Sequence, residues 1–257
     1  MLTDSQLTDW HRNGWLVVPA AFDAARVAEI TRWVDEVAAW ADHLDTPGVH
    51  HRESTDHGPV LARSEHFADD HPGLGELLGA GMIVDVLAEL FGEPAVLFKE
   101  KVNYKHPGGG GFAAHQDAAA YRFVDHHISV AVPVDPATEA NGCLWFAPGH
   151  GRGMLATNER GCIADEIVET LDWQPVELEL GDIVAFDSYA PHQSGTNTSA
   201  RSRRALYLTY NAASKGDHRT AYYADKLDEF SRVGDTVDGQ RVRISVIDDF
   251  LGRPVDA

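Results

Sequence analysis

The run Arg203-Arg204-Ala205-Leu206-Tyr207-Leu208-Thr209-Tyr210-Asn211 reads as a β-strand with two unlike faces. Side chains alternate along a strand, so Arg203, Ala205, Tyr207, Thr209 and Asn211 share one face. Arg204, Leu206, Leu208 and Tyr210 share the other, and its apolar character suits packing against a second layer. Working back from this run, short stretches rich in β-branched and aromatic residues follow one another from residue 95 onward, separated by turn residues. They are Ala95–Lys105, His127–Val134, Gly142–Ala147, Val176–Leu180 and Ile183–Phe186.

The N-terminal third reads differently. Thr3 to Asn13 predicts a short helix, with Thr3 or Asp4 as N-cap and Gly14 as its stop. Trp15–Pro19 reads as a strand. Val27, Ile30, Val34, Val37 and Ala38 recur at helical spacing between Asp23 and Ala41, and Ile83–Phe91 predicts another helix closed by Gly92. His43 to His71 is polar and carries no clear pattern. Asp225–Phe230 predicts a helical segment able to cap one end of the sheet structure. Helices first and strands after predict an α+β chain with a mainly β core, an antiparallel sandwich or barrel for which a distorted jelly roll fits the strand count. No repeat or linker divides the sequence, so residues 1–257 are expected to form a single domain.

The composition is that of an ordinary globular protein, with 44% hydrophobic and 24% charged residues. A formal net charge of −19 argues against nucleic acid or an anionic membrane as partner, because phosphates would be repelled. Cys143 and Cys162 are too few to staple a chain of this size, so reduced thiols are the simpler expectation, though one disulfide stays open. The N-terminus has no secretory signal pattern, and no run approaches the ~20 apolar residues of a membrane span. A cytoplasmic protein acting on a small molecule is expected; the sequence does not reveal its oligomeric state.

His115-Gln116-Asp117 carries the chemistry. At strand spacing His115 and Asp117 point the same way and Gln116 oppositely, so one strand end offers two ligands to a metal. His192, just after Gly181-Asp182-Ile183-Val184-Ala185-Phe186, offers a third. Two nitrogens and one hard oxygen leave three coordination places open, the donor set of a non-haem Fe(II) oxygenase. H-x-D alone is weak, and His50, His51, His106, His126, His127, His150 and His218 compete as ligands. Arg203, on the more polar face of its strand, can pair bidentately with a carboxylate, and Ser194 and Thr196 offer hydroxyls nearby. Lys101 and Asn103 share a face of the upstream strand. Gly108-Gly109-Gly110-Gly111 match no Walker or Rossmann arrangement and read as a connector at the cavity mouth.

These segments, ordered with N141-G-C-L144, P148-G-H150, G181-D-I-V-A-F186 and H192-Q-S-G-T-N197, resemble the phytanoyl-CoA dioxygenase family of Fe(II)/2-oxoglutarate oxygenases over residues 10 to 215. The resemblance implies a double-stranded β-helix core (jelly roll, cupin-like) with supporting N-terminal helices. It implies iron ligands at His115, Asp117 and His192, with 2-oxoglutarate held by Arg203, Ser194 and Lys101. It also implies Fe(II), 2-oxoglutarate and O2 as cofactors, and no catalytic residue beyond the metal centre. K99-E-K-V-N-Y-K105, P107-G-G-G-G-F-A-A-H-Q-D117 and F186-D-S-Y-A-P-H192 are similar to the branch that hydroxylates 2-aminoethylphosphonate and trimethylaminoethylphosphonate, although His106 stands where a leucine is expected.

The expectation is therefore a hydroxylase of a small polar substrate, an aminoalkylphosphonate or similar zwitterion, releasing succinate and CO2. Asn103, Tyr121, Arg122, Tyr210, Asn211 and Arg219 are candidate substrate contacts, with Arg152 and Lys226 as further cations. The same chemistry on an amino acid or a secondary-metabolite intermediate is one alternative. A non-catalytic jelly-roll module that holds a metal or ligand is another, which Arg203 argues against because a mere binder needs no cosubstrate anchor.

Overall fold

The computed structural model describes all residues except 44–45, 56–57, 121–122, 150, 152, 233–234, 238–239 and 243–257. In chain order the elements that matter are α1 (Asp4–Asn13), β1 (Trp15–Val18), α2 (Ala24–Trp40), β2 (Val49–Thr55), β3 (Gly58–Glu65), α3 (Pro72–Gly79), α4 (Met82–Phe91), β4 (Ala95–Lys105) and β5 (Phe112–His115). They continue with β6 (Ile128–Pro133), β7 (Leu144–Phe146), α5 (Asp165–Val168), β8 (Gln174–Val176), β9 (Ile183–Asp187), β10 (His192–Ser194), β11 (Arg203–Ala212) and α6 (Arg219–Arg232).

Local chemistry sets the helix ends. Thr3 caps α1 in a reciprocal box: its Oγ accepts from the Gln6 amide at 3.2 Å while Gln6 accepts from the Thr3 amide at 2.9 Å. Asp23 caps α2 by accepting from the Arg26 amide at 2.8 Å. The buried stripe of α2 is Ile30, Trp33, Val34 and Val37, one face of a 3.6-residue period. The helix α3, which the sequence did not suggest, starts on Pro72 with His71 Nδ1 accepting from the Leu74 amide.

Two antiparallel sheets carry the rest. The larger runs β1-β9-β6-β11-β4-β3-β2 and the smaller β5-β10-β7-β8. α2, α3 and α4 pack on one side of the large sheet, where Val102, Tyr104, Ile128, Val130, Leu206, Leu208 and Tyr210 meet their apolar stripes. On its other side Ala131, Val184 and Phe186 meet Leu144, Phe146 and Val176 of the small sheet. This is the expected jelly-roll sandwich with helices outside one face, and β6, covered on both sides, is buried at every position.

The sequence expectation differs in four places. His43–His71 holds the β2–β3 hairpin, whose β3 pairs with β4 at the sheet margin. Such an edge hairpin needs no apolar alternation, which is why its sequence is quiet. His192 follows the Ile183–Asp187 strand as expected but opens a short strand of its own, β10, which the sequence did not suggest. Asp117 lies beyond the end of β5, in a single 3-10 turn over Asp117–Ala119. The C-terminal helix begins at Arg219, six residues before the expected start.

Candidate active site

The two sheets bring His115 and His192 together by register. They are direct partners across the β5–β10 pair, so their side chains leave the sheet on the same side and their rings lie 4.1 Å apart between centroids. Each imidazole is oriented by a backbone carbonyl. His115 Nδ1 donates to Ala113 O at 2.7 Å and His192 Nδ1 donates to Ala190 O at 3.0 Å. That fixes the tautomer and leaves both Nε2 lone pairs facing inward.

Asp117 enters by a turn. Buried Gln116 points away from the site and locks the segment. Its amide donates to Gly153 O at 2.8 Å and Tyr189 O at 2.6 Å, and its carbonyl accepts from the Leu155 amide at 2.8 Å. Asp117 Oδ1 then stands 3.6 Å from His115 Nε2 and 3.9 Å from His192 Nε2. Ser129 Oγ, itself bonded to Thr209, donates to Asp117 Oδ2 at 3.3 Å. The three ligand atoms lie within 4.8 Å of one another, the only such His/Cys/Asp/Glu group among the described residues. Burial opposes ionisation of Asp117, but the adjacent imidazoles of His115 and His192 hold it well below the usual carboxylate range. Burial, then the neighbouring His115, push His192 down to about 4. An ionised Asp117 beside a neutral His192 imidazole is a protonation state that suits a divalent cation.

A second polar cluster sits along β11 and β4. Arg203 and Lys105 are direct partners in that strand pair, both buried. Arg203 Nη2 donates to Gly142 O at 3.1 Å and Nη1 reaches Tyr207 Oη at 3.5 Å, while its buried Nε–H has no acceptor. Lys105 Nζ donates to Gly195 O at 2.7 Å, Ser194 Oγ at 2.9 Å and Gly142 O at 3.3 Å. Neither cation has an ion-pair partner among the described residues. Burial and then the Arg203 charge push Lys105 down to about 7. Two buried like charges with an orphaned N–H are costly alone and fit one terminal carboxylate. Gly142 makes this possible: it adopts φ +75°, and a Cβ there would meet Gly195 O at 2.4 Å.

Between the clusters lies a cavity of about 450 Å³, mouth included, lined on its polar side by Lys101, Asn103, Asp117, His115 and His192 and on its apolar side by Phe112, Leu144, Phe186 and Tyr207. A smaller hollow bordered by Arg203 adjoins it, with Leu144 and Tyr207 common to both.

Residues 10–205 match the family model described as phytanoyl-CoA dioxygenase (PhyH). The chain belongs to that family. This dioxygenase is 48% identical to the methylphosphonate hydroxylase of Gimesia maris, over 98% of its own length and 97% of the relative's. It is 39% identical to the 2-aminoethylphosphonate dioxygenase of Uncultured bacterium HF130_AEPn_1, over 93% and 92% of the two chains. The fold is shared with EctD from S. alaskensis, solved with 2-oxoglutarate and 5-hydroxyectoine, at a TM-score of 0.72 and 21% identity over 83% of this chain and 77% of that one.

The dioxygenase brings His115, Asp117, His192, Arg203, Lys101 and Asn103 to the cavity or its adjoining hollow, and Ser194 lies on the Lys105 ammonium of the second cluster. Thr196 lies beyond exposed Gly195 and lines neither space. Other expected substrate contacts are employed elsewhere. Tyr210 is on the helix side of the sheet and donates to Leu78 O at 2.9 Å. Asn211 lines neither the cavity nor the hollow, and its amide binds Ala212 O and Gly216 O. Arg219 holds Glu100 through two bonds of 3.1 and 2.7 Å and also pairs with Asp69. Lys226 is committed to Glu65 at 2.7 Å. Tyr121, Arg122, His150 and Arg152 lie outside the described residues. His50, His106 and His218 are hydrogen-bonded to Ser64 and Pro47, to Ser202 and Leu61, and to Lys215. His51 and His126 pair with Glu65 and Asp187, and buried His127 packs on Phe98. Both cysteines are free and buried, as expected.

Lys105 is the residue that sequence reading missed. It lies four residues beyond Lys101 on the same strand face, so alternation carried to the end of β4 would have found it. The glycine run, expected as a mouth connector, is instead tied to the 195–198 turn: Gly108 N–H donates to Asn197 O and Asn197 N–H to Gly109 O. No helix among the described residues is long and apolar enough to cross a membrane.

Proposed function

We propose that this dioxygenase hydroxylates a small organophosphonate, consuming 2-oxoglutarate and O2 and releasing succinate and CO2. The observation that carries the reading is the pairing of two unlike polar clusters across one cavity. His115, Asp117 and His192 form a buried three-donor face, and Arg203 with Lys105 and Ser194 forms a buried cation pair that awaits a carboxylate. A passive metal-binding module has use for the first and none for the second. The phosphonate assignment rests on the 48% and 39% identical relatives, each matched over more than nine-tenths of this chain.

The residues fit the groups they would hold. His115 Nε2, His192 Nε2 and one Asp117 oxygen would ligate Fe(II), with Ser129 fixing the second carboxylate oxygen. Arg203 Nε–H and the Ser194 hydroxyl would take the far carboxylate of 2-oxoglutarate, with the Lys105 charge beside them. When bound, the iron supplies activation of O2, coupled to oxidative decarboxylation of the cosubstrate. Asp117 would fill the coordination place that a halide needs, which favours hydroxylation over halogenation. Phe112, Leu144, Phe186 and Tyr207 supply apolar walls that keep water from the reacting C–H bond. The overall balance is R–H plus 2-oxoglutarate plus O2 giving R–OH, succinate and CO2.

The test is succinate release by the Fe(II)-loaded protein with methylphosphonate, 2-aminoethylphosphonate, proline and an acyl thioester in turn, with phosphonate products followed by 31P NMR. A phosphonate should stimulate release and yield a hydroxylated product, and Asp117→Ala should abolish both. Stimulation by proline alone, or full turnover in Asp117→Ala, would reject the reading.

A further inference from the structure

The inward face of β4 presents Lys99, Lys101, Asn103 and Lys105 in sequence, and these donors differ in how far they are already engaged. Lys105 is spent on Ser194 and two carbonyls. The Lys101 ammonium makes no hydrogen bond or ion pair among the described residues and is flanked only by the rings of Tyr207 and Phe112, with centroids 5.7 and 6.0 Å away. Asn103 is half engaged. Its carbonyl accepts from Arg63 Nε at 3.2 Å, which turns its –NH2 group toward the cavity it lines.

Glu65, the strand partner of Lys101, does not neutralise it. Its carboxylate is taken by Lys226 at 2.7 Å and Arg63 at 3.3 Å, with His51 beside it. Asp117 is the only carboxylate lining the cavity among the described residues, and the metal claims it. The remaining wall is therefore donor-rich, and burial, then the like charges of Arg63 and Lys99, hold Lys101 well below the ordinary lysine range, so that an anion beside it would favour its charged form.

We infer that Lys101 and Asn103 seat the phosphonate oxygens of the substrate, and that the seat selects a phosphonate carrying no amine. This rests on the phosphonate reading above and narrows it. Two donors at i and i+2 on one strand face stand about 7 Å apart at the backbone, a span their side chains close around a tetrahedral oxyanion. An ammonium two or three bonds from that anion would find no free carboxylate among the described residues and would meet the charge of Lys101. The two aromatic faces that could otherwise receive it already flank Lys101. On this proposal, and unlike the expectation from sequence, Lys101 would serve the substrate rather than the cosubstrate, and the substrate would be an alkylphosphonate rather than a zwitterion.

The experiment is anaerobic calorimetric titration of the Fe(II)·2-oxoglutarate protein, where binding is read without turnover. Methylphosphonate should bind at least about tenfold more tightly than 2-aminoethylphosphonate. Lys101→Met should weaken methylphosphonate binding about tenfold to a hundredfold, the range for a lost charge-assisted hydrogen bond. Its 2-oxoglutarate affinity should stay within about threefold, which also shows that the variant is folded, and Lys101→Arg should keep most of the phosphonate affinity. The inference is overturned if Lys101→Met loses 2-oxoglutarate affinity instead, or if wild type binds the amine-bearing phosphonate equally well. Binding of 2-oxoglutarate but of neither phosphonate would remove the phosphonate reading itself, a result distinct from both.

Discussion

Replacing Arg203 by methionine tests the cosubstrate site most directly. The side chain is 3% exposed, so what it contributes is set by partners rather than by solvent. Its Nε–H has no protein acceptor, and a bound carboxylate would accept from it and from one terminal nitrogen. Two charge-assisted hydrogen bonds at about 1.5–3 kcal/mol each give about 3–6 kcal/mol. Lys105 argues for the lower end. It is the direct strand partner of Arg203, and removing the guanidinium lifts the repulsion that now weakens its hold on a proton. A loss of about 3 kcal/mol is about a hundredfold in affinity. Methionine fills most of the vacated volume, and Gly142 O keeps its bond from Lys105, so the fold should survive. The assay is anaerobic titration of 2-oxoglutarate into Fe(II)-loaded protein, with Fe(II) affinity measured in parallel. Iron binding should be unchanged, because Arg203 is bonded to Gly142 and Tyr207 and to no triad residue among the described residues. A 2-oxoglutarate affinity within threefold of wild type would refute the assignment and the charge argument behind it.

Two further outcomes follow from the same geometry. Gly142→Ala places a Cβ 2.4 Å from Gly195 O and 2.8 Å from Lys105 Nζ at φ +75°. At about 1–2 kcal/mol for the left-handed backbone plus the clash, thermal melting should fall by at least about 4 °C, and the stabilisation normally given by 2-oxoglutarate should shrink; an unchanged ligand-induced shift would count against the cradle. Burial opposes ionisation of Glu65, but Lys226, His51 and Arg63 outweigh it and hold the carboxyl well below its ordinary range. A depressed folded value means the contribution is present above the unfolded pKa, about 4.3, and is lost as pH falls through the folded one. Wild type should therefore exceed Glu65→Gln by about 3 kcal/mol near pH 7, with the gap closing below about pH 4 in paired melting curves. A gap constant with pH would show that charge is not what Glu65 contributes.

How much of this was legible depends on whether a residue's role is local. The alternation of Arg203–Asn211 was enough to separate the cavity face from the helix face, and it placed Tyr210 correctly among the packing residues. Naming Tyr210 also as a substrate contact contradicted that alternation, and the structure sides with the alternation. His115 and His192 were legible as candidate ligands because H-x-D, weak alone, stands in order with a downstream histidine and Arg203. Their direct pairing across β5 and β10 was not, since register between strands 77 positions apart leaves no mark in either segment. Arg219 and Lys226 were misjudged for the same reason. A basic residue looks available until its acid is found, and Glu100 and Glu65 lie more than a hundred residues upstream.

That accounting of acids and bases reaches the function. A net charge of −19 disfavours an anionic partner at the surface, and on charge alone a phosphonate is a poor choice of substrate. Screening confines that repulsion to about 8 Å at physiological salt. Inside, the balance reverses. The buried carboxylates Glu65 and Glu100 are already occupied by Lys226, Arg63 and Arg219, and Asp117 by its imidazoles. Among the described residues Lys101, Lys105 and Arg203 are left without ion-pair acids, in a low-dielectric interior where a charge counts for more than one on the surface. Total charge therefore describes the shell, and unpaired charge describes the site. Two separate cation clusters, one at Arg203 and one at Lys101, ask for two anions, as a 2-oxoglutarate carboxylate and a phosphonate would supply.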